Sequence, residues 1–192
     1  FNINIEMNIV KTATRHNMRR LFLIAVLIMP CSFLKAQMLA LKTNALMDLA
    51  LVPNIGLELA TGSKTSLAAN GFASWNIYGM KAKTYGFLPE FRYWLSGNTF
   101  SKLFVGIGAT MAHYDIAARK TEYFGSAYGG GINVGYNYWL SKHFSVEFHG
   151  GVGVYYYHHA SFPVTEVIND IPKYNDSGWT LLPYQLGVSF VY

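Results

Sequence analysis

The stretch that decides the fold is the last one, residues 179–192, which reads W-T-L-L-P-Y-Q-L-G-V-S-F-V-Y. Large apolar side chains alternate there with smaller or polar ones, and a period of two is typical of a strand with two different faces. The face predicted to point outward holds Leu182, Tyr184, Leu186, Val188, Phe190 and Tyr192. The face predicted to point inward holds Leu181, Pro183, Gln185, Gly187, Ser189 and Val191. This pattern suits a barrel strand that faces lipid, and a strand of a soluble sandwich also shows it.

Composition favours the membrane over a soluble sandwich. The 192 residues are 52% hydrophobic and only 13% charged, whereas soluble domains carry about 25% charged residues. The one long apolar run, Leu21–Met29, is shorter than the roughly 20 residues that a spanning helix needs. We therefore exclude a helical membrane protein and predict a barrel, whose strands carry apolar groups at alternate positions.

Residues 1–36 are set apart as upstream residues and a cleaved secretory signal peptide. Met18-Arg19-Arg20 gives the charged start, Leu21–Met29 the apolar core, and Leu34-Lys35-Ala36 the cleavage site. Five of the 15 basic and one of the 10 acidic residues precede Gln37, so ten basic and nine acidic residues remain, a net charge of +1. The excess of basic residues therefore belongs to the targeting segment, and we predict no nucleic-acid partner. Without Cys31 the mature chain has no thiol chemistry.

Residues 37–192 are predicted to form an all-β, eight-stranded antiparallel up-and-down transmembrane β-barrel. The predicted strands are Leu39–Leu49, Ile55–Thr61, Thr65–Trp75, Lys83–Leu95, Lys102–Tyr114, Ala127–Leu140, Phe144–Tyr156 and Trp179–Tyr192. Short connections follow strands two, four and six. Long ones fall at Asp115–Ser126 and Tyr157–Gly178, on the outer side where barrel proteins carry their long loops.

Charged side chains are predicted on the inner face of these strands. A barrel of this size holds side chains in its lumen and leaves no wide channel. We predict a structural charge network there, formed by Lys42, Asp48, Glu58, Glu90, Arg92, Glu147 and His149. The spacing matches no metal site, and no cofactor is predicted.

The alternative to a structural role is an enzyme, because Ser145, Glu147 and His149 supply a nucleophile, an acid and a base on one strand. Neighbours on one face of a strand stand nearly 7 Å apart at about 3.3 Å per residue. Each would therefore need other partners to form a hydrogen-bonded catalytic pair. We predict no catalytic residues.

Several motifs carry a family resemblance across nearly all of residues 37–192. They are Lys42-x-Asn44, Pro53-Asn54-x-Gly56-x-Glu58, Pro89-Glu90-x-Arg92-Tyr93-Trp94, Gly135-Tyr136 with Trp139-Leu140-Ser141-Lys142, and Glu147 followed by Gly151-x-Gly153. The chain resembles the Bacteroidota outer-membrane barrel family catalogued as a domain of unknown function. The resemblance implies an eight-stranded barrel similar to the outer membrane protein A type, and it brings no established activity. Gln185, Gly187, Phe190 and Tyr192 resemble the C-terminal signal by which outer-membrane barrels are presented for assembly.

The function predicted from the sequence is that of a small barrel in the cell outer membrane with a structural or surface-interaction role. The partners would be outer-membrane lipids, the barrel assembly machinery and an extracellular partner bound through loops 115–126 and 157–178. A lipid-modifying barrel enzyme and a soluble periplasmic β-barrel that binds an apolar ligand are the alternatives.

Overall fold

The computed structural model contains one antiparallel sheet that closes on itself. It describes residues 38–77, 80–118, 121–163 and 175–192, and the predicted signal peptide lies outside them. Within these ranges the sheet has eight strands, each paired with the next in the chain, and the first pairs with the last. The prediction of an all-β, up-and-down closed barrel is confirmed. No helix in the described ranges is long and apolar enough to cross a membrane.

The elements follow one another around the ring. They are β1 (Leu39–Asn44), α1 (Ala45–Leu49), β2 (Asn54–Ala60), β3 (Thr65–Ile77), β4 (Met80–Trp94), β5 (Lys102–Ala118), β6 (Thr121–Trp139), β7 (Ser145–Pro163) and β8 (Asp176–Val191). Residues 61–64, 95–101 and 140–144 connect strands at one end, here called the lower end. The opposite end, here called the upper end, carries α1 and the extended tips of β5, β6 and β7.

Side chains alternate between the outer surface and the lumen. On β4, Phe91 and Tyr93 are exposed on the outside, whereas Glu90 and Arg92 between them are 2% and 1% exposed. The same alternation runs along β6, where Ile132 is 60% exposed and the adjacent Asn133 is 1% exposed. The barrel is therefore apolar on its outside and polar in the middle of its lumen.

The predicted first strand is wrong beyond Asn44. The chain turns into α1 there, because the Asn44 side chain accepts a hydrogen bond from the Leu46 amide at 3.1 Å and caps the helix. Asparagine is a preferred N-cap, and alanine, leucine and methionine, which follow it, are good helix formers. Asp48 consequently lies in a helix and is exposed to solvent.

The first predicted long loop, 115–126, is largely strand, and strands also extend into both described ends of the second, 157–178. β5 continues to Ala118 and β6 begins at Thr121, so most of 115–126 forms a paired hairpin. β7 likewise continues to Pro163 and β8 begins at Asp176, which leaves 164–174 outside the described residues. Tyrosine, phenylalanine and threonine favour strands, and cross-strand pairs such as Asp115↔Phe124 extend the sheet.

A β-bulge in β8 overturns the predicted facing of its first half. Gly150 pairs with Leu186 and Val152 pairs with Pro183, so β8 holds one residue more than β7 between these pairs. A bulge of this kind shifts the alternation by one position. Tyr184, predicted to point outward, is therefore inside and 4% exposed, while Leu181, predicted to point inward, is 69% exposed.

Two apolar clusters fill the lumen above and below its charged middle. The lower cluster contains Ala40, Trp94, Phe100, Phe104 and Val191. The upper cluster contains Leu88, Tyr155 and Tyr184, with Phe72 packed against it. Inward glycines make room for the rings: a Cβ on Gly135 would collide with Phe104, and one on Gly131 would collide with Tyr184. The abundance of glycine thus follows from large rings in a narrow interior.

Gly135→Ala is expected to destabilise the barrel by about 1–3 kcal/mol, the usual cost of overpacking. Its methyl group would meet the buried Phe104 ring and approach the Phe148 carbonyl oxygen to 2.8 Å. The matched control is Gly150→Ala, whose methyl group would lie no closer than 3.8 Å to Leu186. Equilibrium denaturant unfolding followed by tryptophan fluorescence measures both, and equal midpoints would contradict this packing.

Candidate functional site

Arg92 lies at the centre of the lumen and binds carboxylates from three strands. Its Nε donates to Glu90 Oε1 at 2.8 Å, and its Nη1 donates to Glu58 Oε2 and Glu147 Oε1, each at 2.9 Å. Lys42 Nζ donates to Glu147 Oε2 at 2.6 Å and forms an ion pair with Glu58. These five residues, from β1, β2, β4 and β7, are called the lumen charge network below. All are 5% exposed or less.

Neutral side chains complete the hydrogen bonds of the lumen charge network. Ser66 Oγ donates to Glu58 Oε1 at 2.5 Å, and Trp94 Nε1 donates to Ser66 Oγ at 2.9 Å. Gln185 Nε2 donates to Glu90 Oε2 at 2.8 Å. The Arg92 guanidinium also lies 4.4 Å from the centroid of the Phe104 ring. A buried charge cluster is stable only when its members are paired in this way.

The Pro89-Glu90-x-Arg92-Tyr93-Trp94 motif gains a structural explanation from these contacts. Glu90, Arg92 and Trp94 are the inward residues of this motif. Glu90 and Arg92 belong to the lumen charge network, and Trp94 is linked to it through Ser66. Tyr93 is 41% exposed on the outside. Sequence reasoning missed Ser66 as a carboxylate partner, because a serine on a strand carries no distinctive signal.

Two residues predicted for the network lie elsewhere. Asp48 is on α1, where it accepts hydrogen bonds from Thr43 Oγ1 at 2.7 Å and Asn54 Nδ2 at 2.9 Å. His149 is inside the barrel, but its Nε2 pairs with Ser189 Oγ at 2.9 Å and not with a network carboxylate. The prediction for Asp48 is wrong because β1 ends before it, and His149 lies beside the network.

The pair of His149 and Ser189 does not make a catalytic triad. Among the described residues, the His149 Nδ1 atom has no hydrogen-bond partner, whereas an activated nucleophile needs a third group that orients the base. Ser145 is buried and its Oγ has no partner in the described ranges either. No group of three or more His, Cys, Asp or Glu side chains in those ranges could hold a metal ion.

Asn44 and Asn54 fasten the seam where the ring closes. The Asn54 side chain accepts from the Asn44 amide at 2.7 Å and donates to the Asn44 carbonyl at 3.1 Å. Asn44 Nδ2 in turn donates to the Leu186 carbonyl of β8 at 3.1 Å. The motifs that contain Lys42-x-Asn44 and Pro53-Asn54 therefore mark the junction of β1, β2 and β8.

The four residues predicted as an assembly signal lie along β8 and the seam. Gln185 is in the bulge and bonds Glu90, and Gly187 lies against the Asn44 side chain. Phe190 stacks on Phe144 on the outer surface at 5.8 Å. Tyr192 exchanges two backbone hydrogen bonds with Leu41 at 2.7 and 2.9 Å. The pair of Tyr192 and Leu41 joins the two ends of the ring. Recognition of the four residues during assembly stays a prediction.

A cavity of about 370 Å³ lies above the lumen charge network. Phe72, Leu88 and Tyr155 line its upper part. Lys42, Arg92 and Glu147 of the lumen charge network and the neighbouring His149 also contribute to its lining. Residue patterns do not predict this cavity, because its extent depends on where β1 ends and how β8 bulges.

Arg92→Met should destabilise the barrel by about 3–5 kcal/mol, because it leaves three buried carboxylates with Lys42 as their only cation in the network. Arg92→Lys should fall between it and the wild type, since a lysine keeps the charge but cannot bind several carboxylates in a fixed fork. Lys83→Met removes an exposed charge from the same strand and should change stability by less than about 0.5 kcal/mol.

Denaturant midpoints of the three variants check this expectation. If Arg92→Met and Lys83→Met unfold at the same denaturant concentration, Arg92 does not hold the strands together.

Comparison with known proteins identifies the family to which the chain belongs. No curated protein and no solved structure matches the chain. The sequence model of a family described as "Protein of unknown function (DUF3575)" matches residues 22–192, nearly nine-tenths of the chain and all of the barrel. The chain therefore belongs to the DUF3575 family of proteins of unknown function.

Proposed function

We propose that the barrel spans the outer membrane of a bacterium, a member of the Bacteroidota as the sequence resemblance implies, and has a structural or surface-interaction role. Outer-membrane lipids would surround it, and the barrel assembly machinery would insert it. The observation that carries this proposal is a belt of exposed apolar side chains around the outside. Single exposed apolar residues are ordinary on soluble proteins, but a continuous apolar surface marks an interaction with a membrane or partner.

Aromatic residues border this belt at both ends, as in membrane barrels. On β6 the outward Tyr128 and Tyr138 are 47% and 57% exposed, and on β8 the outward Trp179 and Phe190 are 72% and 43% exposed. Ten residues of strand, at about 3.4 Å each and tilted about 40°, span roughly 26 Å. This height matches the apolar band of about 25 Å on outer-membrane barrels.

Charged residues avoid the outer surface between these aromatic borders. Within the described ranges, every Asp, Glu, Lys and Arg lies in the lumen, in α1, in a connection, or near a strand end. Lys81 forms ion pairs with Asp115 and Glu122 above the upper border. A lysine or arginine on the lipid face at the bilayer midplane would destabilise a barrel by about 2–4 kcal/mol. The observed distribution of charged residues is therefore the one expected for a barrel surrounded by lipid.

The filled lumen supports a structural or interaction role. The lower apolar cluster and the lumen charge network occupy the cross-section in succession, and both are almost completely buried. The tips of β5 to β8 extend past the upper aromatic border, and there the rings of Tyr114, Tyr123 and Tyr157 each contact the ring of His159. We propose that residues 115–126 and 157–178 present this surface to an extracellular partner.

The alternatives receive less support. A soluble barrel that binds an apolar ligand would have a mainly polar outer surface, whereas here large apolar side chains are exposed on the outside. A lipid-modifying enzyme needs a nucleophile and a base that a third group orients, and no described residue forms a hydrogen bond with the second ring nitrogen of His149, Nδ1.

Membrane fractionation of expressing cells tests the location. The chain should sediment with the outer membrane and should migrate faster on a gel before boiling than after it, as a folded barrel does. Recovery in the soluble periplasmic fraction would refute the proposal.

Ile132→Arg is expected to destabilise the barrel in lipid vesicles by about 2–4 kcal/mol, because it places a charge in the middle of the belt. Tyr138→Arg, at the lower border of the same strand, should cost at most about 1 kcal/mol. Unfolding midpoints in vesicles measure both. Equal costs would mean that depth along β6 does not matter, and the membrane proposal would fail.

A further inference from the structure

We propose that the upper lumen binds one linear hydrocarbon chain of an amphiphile, which enters sideways through a gap between β8 and α1. This inference rests on the proposed membrane location and names a ligand for the cavity above the lumen charge network. The ligand class is an acyl chain, either part of a membrane lipid or a free fatty acid.

The gap arises because the first two strands are short. β1 has 6 residues and β2 has 7, whereas β8 has 16. β1 pairs with β8 only through Lys42↔Val191, Thr43↔Phe190 and Asn44↔Ser189. Among the described residues, the part of β8 from Asp176 to Leu186 therefore pairs with β7 on one side and with no strand on the other. α1 lies in the place where a longer β1 would continue.

The cavity reaches the outer surface at this gap. Its lining includes Met47 of α1 together with Leu182, Pro183 and Leu186 of β8. Leu186 is 66% exposed on the outside of the barrel and Leu182 is 48% exposed. One space therefore contacts both the lumen and the outer face, and its volume of about 370 Å³ falls within the range of small-molecule sites.

The surroundings of the gap select a hydrocarbon chain over a water-soluble ligand. On β8 the gap lies between Trp179 and Phe190, the two aromatic borders of the apolar belt, so it would open into hydrocarbon. Leucines surround it: Leu46, Leu49 and Leu181 are 42%, 69% and 69% exposed. Unpaired backbone is tolerated at membrane depth where it lines a cavity, and Pro183 has no N–H to leave unpaired.

The inside of the cavity is also apolar next to the gap. Phe72, Leu88, Ala112, Ala127 and Tyr155 form an apolar wall inside the gap. The charged residues of the lining, Lys42, Arg92 and Glu147, are already bound to one another. His149 Nδ1 and Tyr184 Oη, which belong to the same lining, have no hydrogen-bond partner among the described residues, and the apolar wall beside them suits a chain of methylenes.

The test uses the full chain folded in nanodiscs of phosphatidylethanolamine and phosphatidylglycerol. One arm contains a phosphatidylethanolamine with a photoreactive diazirine on one acyl chain, and the other arm contains a free fatty acid with the same group. After irradiation, mass spectrometry locates the label. In the wild type we expect labels on the outward Ile132 and Val134 and also on the lumen residues Leu88 and Tyr155.

Ala112→Phe should abolish the lumen labels, because it fills the cavity, and should leave the outward labels unchanged. Ala109→Phe is the matched control, since Ala109 is three residues away on β5 and is exposed on the outside; it should retain both sets. Heat-modifiable gel mobility verifies that the variants are folded, and Ala127→Phe replaces Ala112→Phe if that variant does not fold.

The outcomes separate the two proposals. Outward labels without lumen labels in both arms would overturn the acyl-chain site and leave the membrane location standing, whereas the absence of outward labels would refute the membrane location itself. Lumen labels that persist in the folded cavity-filled variant would also overturn the site. Lumen labels in the phospholipid arm identify a membrane lipid as the source, and labels in the fatty-acid arm alone identify a free fatty acid.

Discussion

Arg92 contacts three carboxylates inside the barrel, and each carboxylate comes from a different part of the ring. Glu58 belongs to β2, Glu90 to β4 and Glu147 to β7, and Lys42 of β1 binds two of them. A one-residue slip of any of these strands would move its charged side chain from the lumen to the outer face. The lumen charge network therefore fixes the register of four strands, because breaking one pair leaves an uncompensated buried charge.

The rest of the architecture follows from keeping charge inside. Once the carboxylates and their cations occupy the lumen, the alternate positions of the same strands are apolar and form the outer belt. Rings such as Trp94, Phe104 and Tyr184 then fill the lumen above and below the charges, and inward glycines accommodate them. Asn44 ends β1 early and ties it to β8, which leaves, among the described residues, a part of the wall where the outer face and the cavity meet.

Much of this could be predicted from the sequence, because alternation along a strand reports directly on its two faces. This alternation predicts the fold class, the number of strands and the inward facing of Glu90 and Arg92. Five of the seven residues predicted for the network are together in the lumen. Prediction from alternation fails where the backbone leaves the regular strand. The alternating pattern continues through Ala45–Leu49, although Asn44 starts a helix there. It also cannot reveal the extra residue in β8 that turns Tyr184 inward. The cavity depends on both features, so residue patterns did not predict it.

Spin labels along β6 test the central claim most directly. In a background without Cys31, single cysteines at positions 132, 133, 134, 136 and 137 would carry the label, and collision with oxygen, which is concentrated in hydrocarbon, would be measured in lipid vesicles. We predict high oxygen accessibility at Ile132, Val134 and Tyr136 and low accessibility at Asn133 and Asn137. The reverse alternation, or accessibility that does not alternate, would contradict an apolar exterior around a charged lumen.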